Sequence, residues 1–154
     1  MSPIDESTVP SLPRWPQRTV AVLSTVDEGV HAIPVSAPVR DGDRGILLSL
    51  HRSRDTVGRI RRWPEVALTF LAEGDIAFTA RGTATVTEEP MAADPDYVAV
   101  SIAVAHVDDH RQQAFRVTAG VDREWLDETA KATLGARVRA LTDTAQTHPT
   151  RSAP

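Results

Sequence analysis

Between His51 and Arg62 the chain sets five arginines, within the stretch SLHRSRDTVGRIRRWPEVALTF that runs from Ser49 to Phe70. Two of them, Arg52 and Arg54, flank Ser53, a residue type favoured at the start of a helix. A helix start leaves backbone N–H groups free and carries the positive end of the helix dipole, so it favours an anion. Full charges from Arg52 and Arg54, with hydroxyl donors from Ser53 and Thr56, would complete a cradle for a phosphate borne by a small cofactor. A solvated helix with a serine cap explains the same residues without any ligand. Arg59, Arg61 and Arg62 fall at the other end of that helix, where cations complement the negative dipole and need no ligand.

Other groups are weaker candidates. His106-Val107-Asp108-Asp109-His110 brings together two imidazoles and two carboxylates, ligand types that suit zinc or iron. Strand alternation puts both histidines on one face only where the strand runs that far, and an exposed strand end explains them more simply, so no metal site is assigned. Trp63-Pro64 is expected to stop the helix and to fill core space. Arg81 reads as an exposed or interface charge, and Glu88-Glu89 as a solvated strand end.

The elements that must position these groups are mainly strands. TVAVLSTV (19–26) and HAIPVSAPV (31–39), separated by DEG, read as a hairpin, and Asp41-Gly42 turns the chain into ILLSL (46–50). That predicts three consecutive antiparallel strands. A helix of about ten residues follows from Ser53, with Val57 and Ile60 on one face. VALTFLA (66–72) and IAFTARGTATVTEE (76–89) form a second hairpin whose Gly82 suggests a bulge or a close backbone approach. YVAVSIAVAHV (97–107) and FRVTAGV (115–121) read as further strands. Trp125, Leu126, Thr129, Leu134, Val138 and Leu141 then predict a C-terminal helix from Arg123 to Asp143, weakened near Gly135. Hairpin-linked strands without βαβ alternation point to a mainly β fold: a six- to seven-stranded antiparallel barrel, a short helix after the third strand, and a helix at the end.

Bulk properties set the limits. The 154 residues, 41% hydrophobic and 25% charged, suit one domain over 18–143. Prolines 3, 10, 13 and 16 make 1–17 an arm that Trp15 pins to the body, and 144–154 reads as a flexible tail. A net charge of -4 and the lack of an aromatic platform beside the arginines argue against nucleic acid. Cysteine is absent, which removes thiol chemistry and fits a cytoplasmic location. The N-terminus lacks the basic-then-apolar pattern of a signal peptide, and no apolar run is long enough for a bilayer.

The order of strand, S-R-x helix start, W-P and apolar strand resembles the pyridoxamine 5'-phosphate oxidase-like split-barrel family over residues 18–121. The best-matching parts are VAVLSTVDEGVHAIPVS, ILLSLHRSRDTVGRIRRWPEVALTF and AFTARGTATVTEE. The resemblance implies an FMN or deazaflavin cofactor that carries the hydride chemistry itself, acting on a small organic substrate. Carried over by position, Arg54 matches the family's phosphate arginine, and Leu48, Ser49 and His51 belong to the strand that leads to it. His31 to Ser36, including Pro34, Val35 and Ser36, matches the strand along the flavin ring. The family's lysine position holds Asp55, so that Arg52, Arg59 or Thr56 completes the anchor, or the site no longer grips FMN tightly. The C-terminus lacks the arginine- and proline-containing strand of the oxidase proper, so pyridoxamine phosphate oxidation itself is not expected. Two further implications are a homodimer with the cofactor cleft at its interface and, as an alternative, a non-catalytic flavin- or haem-binding protein with His31, His51 or His106 as axial ligand.

Overall fold

The computed structural model describes residues 11–147. Its order is β1 (Val20–Thr25), β2 (His31–Ser36), β3 (Val39–Arg40), β4 (Gly45–His51), α1 (Asp55–Arg62), β5 (Glu65–Ala72), β6 (Ile76–Glu88), β7 (Tyr97–Asp109) and α2 (Glu128–Gln146). The seven strands form one antiparallel sheet in the order β2-β1-β5-β6-β7-β4-β3, curled into a split barrel with two helices. No helix among the described residues is long and apolar enough to cross a membrane.

Alternation decides what faces inward. Ala21, Leu23 and Thr25 of β1 and Val66, Leu68, Phe70 and Ala72 of β5 are buried, with more exposed residues between them. Phe70 stacks on Phe78 at 4.6 Å, and Trp15 lies on Phe70 at 4.4 Å while its indole N–H donates to the Pro38 carbonyl at 2.8 Å. Trp15 therefore does tie the segment before β1 to the barrel; residues 1–10 lie outside the described part. β4 is buried almost throughout because both faces are covered: Ile46, Leu48 and Leu50 look into the main core, and Leu47 joins Met91, Ala99 and Leu141 under α2. That is why ILLSL reads as a continuous apolar run.

The sheet order corrects the expected meander. β1 and β2 form the predicted hairpin, but β4 pairs with β7 and β3, so β2 and β4 share no ladder. Residues 37–40 break the long HAIPVSAPV run: Ala37 adopts a positive φ of 53° and the chain turns into the two-residue β3. FRVTAGV is not a strand. It runs irregularly over the barrel, held by Asp75 N–H to Val117 O (3.0 Å) and Val117 N–H to Asp75 Oδ1 (2.9 Å), with Phe115 and Val121 exposed. The sheet ends on β2 and β3, and this segment pairs with neither.

Both helices begin later than expected. α1 buries Val57 and Ile60 as predicted, yet its N-cap is Arg54 rather than Ser53, and no side chain caps it. Trp63 ends it in an extended conformation before Pro64 but is 51% exposed, so it fills no core. α2 starts at Glu128 because Asp127 caps it, its Oδ1 accepting from the Thr129 and Ala130 N–H groups at 2.9 and 3.2 Å. Trp125 and Leu126 precede the helix, Gly135 does not interrupt it, and it continues past Asp143 into the expected tail. Residues 148–154 lie outside the described part.

Candidate functional site

The site forms where the barrel is open. β2 pairs only with β1, and the β3–β4 ladder ends at Leu47, so the backbone edge of Leu48 to His51 faces no partner strand on that side. The N-terminus of α1 closes one end of the gap. The turn between β1 and β2 docks on the helix from the other side: Arg62 Nε donates to Asp27 Oδ2 at 2.6 Å, and an Arg59 N–H donates to the Asp27 carbonyl.

At the helix start, His51 packs edge-on against Tyr97 with ring centroids 5.2 Å apart. Its Nδ1 accepts the Ser53 N–H at 3.2 Å and lies 2.7 Å from Ser53 Oγ. A backbone amide can only donate, so Nδ1 is the acceptor and a neutral His51 carries its proton on Nε2. This turn uses Ser53 and leaves the helix uncapped, with the Asp55 and Thr56 N–H groups in the unsatisfied first turn. Arg52 donates its backbone N–H to Asp96 O at 2.8 Å and approaches Asp96 Oδ1 at 3.7 Å. Arg54 is exposed and forms no side-chain hydrogen bond or ion pair among the described residues.

Asp55 and Arg59 neutralise each other. Arg59 Nε donates to Asp55 Oδ2 at 2.8 Å across one helical turn, which holds the carboxyl below its ordinary range. Arg59 is thus committed to Asp55 and Asp27 and does not serve as an extra phosphate ligand, while the carboxylate that would repel a phosphate is ion-paired along the helix. Arg61 pairs with Glu89 at 2.7 Å. Thr56 is buried in the first turn, and its Oγ1 has no hydrogen-bond partner among the described residues. Thr56→Val keeps the shape and removes this orphan, so it raises the stability of the cofactor-free protein by about 1 kcal/mol in chemical denaturation. A loss of stability would mean the hydroxyl has a partner.

The remaining predicted residues divide by face. Leu48 and Val35 point into the core and can offer a ligand only backbone atoms. Pro34 is exposed on the edge strand β2, where its missing N–H costs no ladder bond. Ser36 and Ser49 are already engaged: Ser36 Oγ accepts from Arg123 at 2.6 Å, and Ser49 Oγ from Arg137 Nε at 3.1 Å. Sequence reasoning missed both arginines. For Arg137 a signal existed, since Leu134, Val138 and Leu141 make one helical stripe and Arg137 falls inside it. Arg123 gave none, since it lies in irregular chain and its contact is 87 positions away.

The acidic and histidine cluster at the end of β7 is held by arginines. Arg81 pairs with Asp108 at 2.8 Å, and Arg111 forks onto Asp109, lowering its pKa to about 2. His110 Nε2 lies 2.8 Å from Thr79 Oγ1.

No protein-family model and no curated protein matches this chain. Solved structures do. A candidate pyridoxamine 5'-phosphate oxidase from Listeria innocua superposes with TM-score 0.51 at 16% identity, covering 60% of this chain and 89% of that one. HupZ from Group A Streptococcus gives TM-score 0.52 at 14% identity, covering 66% and 90%. An F420 reductase gives 0.49 at 16%, covering 61% and 92%. With the curled seven-stranded sheet, the open seam between β2 and β4 and the short helix after β4, the likeness to the Listeria protein and to HupZ establishes the fold: this chain folds as a split barrel like theirs.

Proposed function

We propose that this protein binds a flavin-type cofactor, FMN or a deazaflavin coenzyme, and is an oxidoreductase that moves a hydride to or from a small organic substrate. One observation carries the reading: an uncapped helix start with Arg54, unpaired among the described residues, stands at the end of the seam between the open edges of β2 and β4. Free N–H groups of Asp55 and Thr56 and the Arg54 guanidinium would hold the phosphate, with Arg52 adding charge from beside it. The Thr56 hydroxyl, buried and without a partner among the described residues, lies in the same turn. Backbone groups of Leu48 to His51 and of Pro34 to Ser36 would orient the ring. The cofactor supplies the hydride chemistry, so no protein dyad is required. We further propose a homodimer with the cofactor cleft at its interface, for which light scattering should return twice the chain mass.

A second reading, a non-catalytic flavin- or haem-binding protein, draws on the engagement of Ser36 and Ser49 by arginines, which leaves neither predicted hydroxyl without a partner. Turnover with any electron donor and acceptor separates the two.

Titration of the purified protein with FMN or a deazaflavin, read by fluorescence quenching, should give a Kd below about 100 μM for one of them. Arg54→Ala should weaken it at least about tenfold, and Asp55→Lys should tighten it. Absence of binding by both cofactors overturns the proposal; an unaltered Kd in Arg54→Ala removes the helix start from the site.

A further inference from the structure

A second recess lies at the other end of β2, away from α1. Ala37, Leu134 and Val138 form a buried apolar floor where α2 crosses the barrel, and the half-buried Trp125 packs against this cluster. Around it stand Arg18, Arg123, Lys131 and Arg139, and no carboxylate lines the groove, whose volume is about 320 Å³. Four cations around one apolar recess are out of keeping with a chain whose net charge is -4.

The cations differ in how far they are already neutralised. Arg18 pairs with Glu73 at 2.8 Å, so its charge is partly offset before it reaches the groove. Arg123 is held in place by neutral partners, Ser36 Oγ at 2.6 Å and the face of Trp125 at 5.0 Å, while Asp122 takes its backbone N–H. Lys131 and Arg139 form no ion pair among the described residues. Mutual repulsion of these groups disfavours the recess when empty, and an anion relieves it. Gly135 contributes space: a Cβ built there would meet the Arg139 guanidinium at 3.4 Å. A glycine in a helix interior costs about 1 kcal/mol relative to alanine, so the open groove is maintained against helix propensity.

We propose that this groove binds a small organic anion with a flat apolar body, its carboxylate or phosphate group between the cations and its body over Leu134 and beside Trp125. Guanidinium groups offer paired donors to either head group, and the indole offers a face for stacking. The groove lies at the opposite end of β2 from the helix-start cradle and meets the proposed ring-side residues only at Ser36, through Arg123.

Calorimetric titration of the full-length protein with benzoate, phenyl phosphate and the neutral benzyl alcohol tests this. At least one anion should bind with a Kd on the order of 1 mM or tighter, and benzyl alcohol at least about tenfold more weakly. Affinity should fall as salt rises. The double variant Lys131→Ala/Arg139→Ala should lose at least about tenfold. Gly135→Leu keeps every charge, fills the recess and favours the helix, so it should lose binding while the melting temperature holds. No binding by either anion, equal affinity for benzyl alcohol, or full affinity in both variants overturns the assignment.

Discussion

Arg137→Ala should lower the unfolding free energy by about 3–5 kcal/mol, read from the midpoint of a urea transition. Arg137 is 7% exposed on the inner face of α2, yet it is fully engaged. It donates to Asp94 Oδ2 at 2.9 Å and to Ser49 Oγ at 3.1 Å, and its guanidinium lies 3.6 Å from the centre of the Tyr97 ring. One side chain thereby joins α2 to β4, to the loop before β7, and to β7 itself. Truncating it leaves Asp94, whose side chain is 14% exposed, as a nearly buried carboxylate without its partner, and that stranded charge accounts for most of the cost. The control follows from the same physics: Arg137→Met combined with Asp94→Asn removes both charges and should recover much of the loss. A deficit below about 1 kcal/mol in Arg137→Ala would mean that the pair behaves like a surface contact.

Gly82→Ala should cost about 1–3 kcal/mol or more in thermal or urea unfolding. A Cβ at this position would lie 2.1 Å from the Ala103 carbonyl oxygen and 3.0 Å from the Val104 Cα, all backbone of the adjacent strand. These atoms cannot move without shifting the β6–β7 ladder, the longest pairing in the sheet. Gly58→Ala provides the contrast. The nearest obstacle there is the mobile end of Arg62 at 3.2 Å, and the gain in helix propensity offsets it, so Gly58→Ala should be neutral or stabilising. Equal losses at the two positions would show that the backbone contact at Gly82 does not decide the outcome.

Gly82 also shows how far a sequence reading reaches. A glycine in a strand signals a bulge or close approach, and both occur, but the extra residue is Ala105 on the partner strand: Arg81 pairs with His106 and Gly82 with Val104. The glycine was visible in the sequence, whereas its opposite residue depended on register across a loop. The arginine-rich stretch behaved alike. Its helix, the inward Val57 and Ile60, and the stop at Trp63-Pro64 rest on neighbours within one or two turns, and all were legible. The serine cap failed because His51, two residues back, engages Ser53 first.

By itself the sequence determined the mainly β character, the hairpins at DEG and EGD, the short helix after ILLSL, and a helix start rich in positive charge. Each follows from alternation, turn residues or propensity acting over a few positions. Only the tertiary structure decided which edges stay open, that β2 and β4 flank the seam, and that FRVTAGV finds no place in the sheet. It also sorted the arginines. Arg59 is drawn to Asp27, 32 positions away, Arg123 to Ser36, and Arg137 to Ser49, while Arg54 is left unpaired among the described residues. The physical reason is one of range: a charge takes whichever partner the closed barrel brings within hydrogen-bond distance, and no local rule encodes that closure.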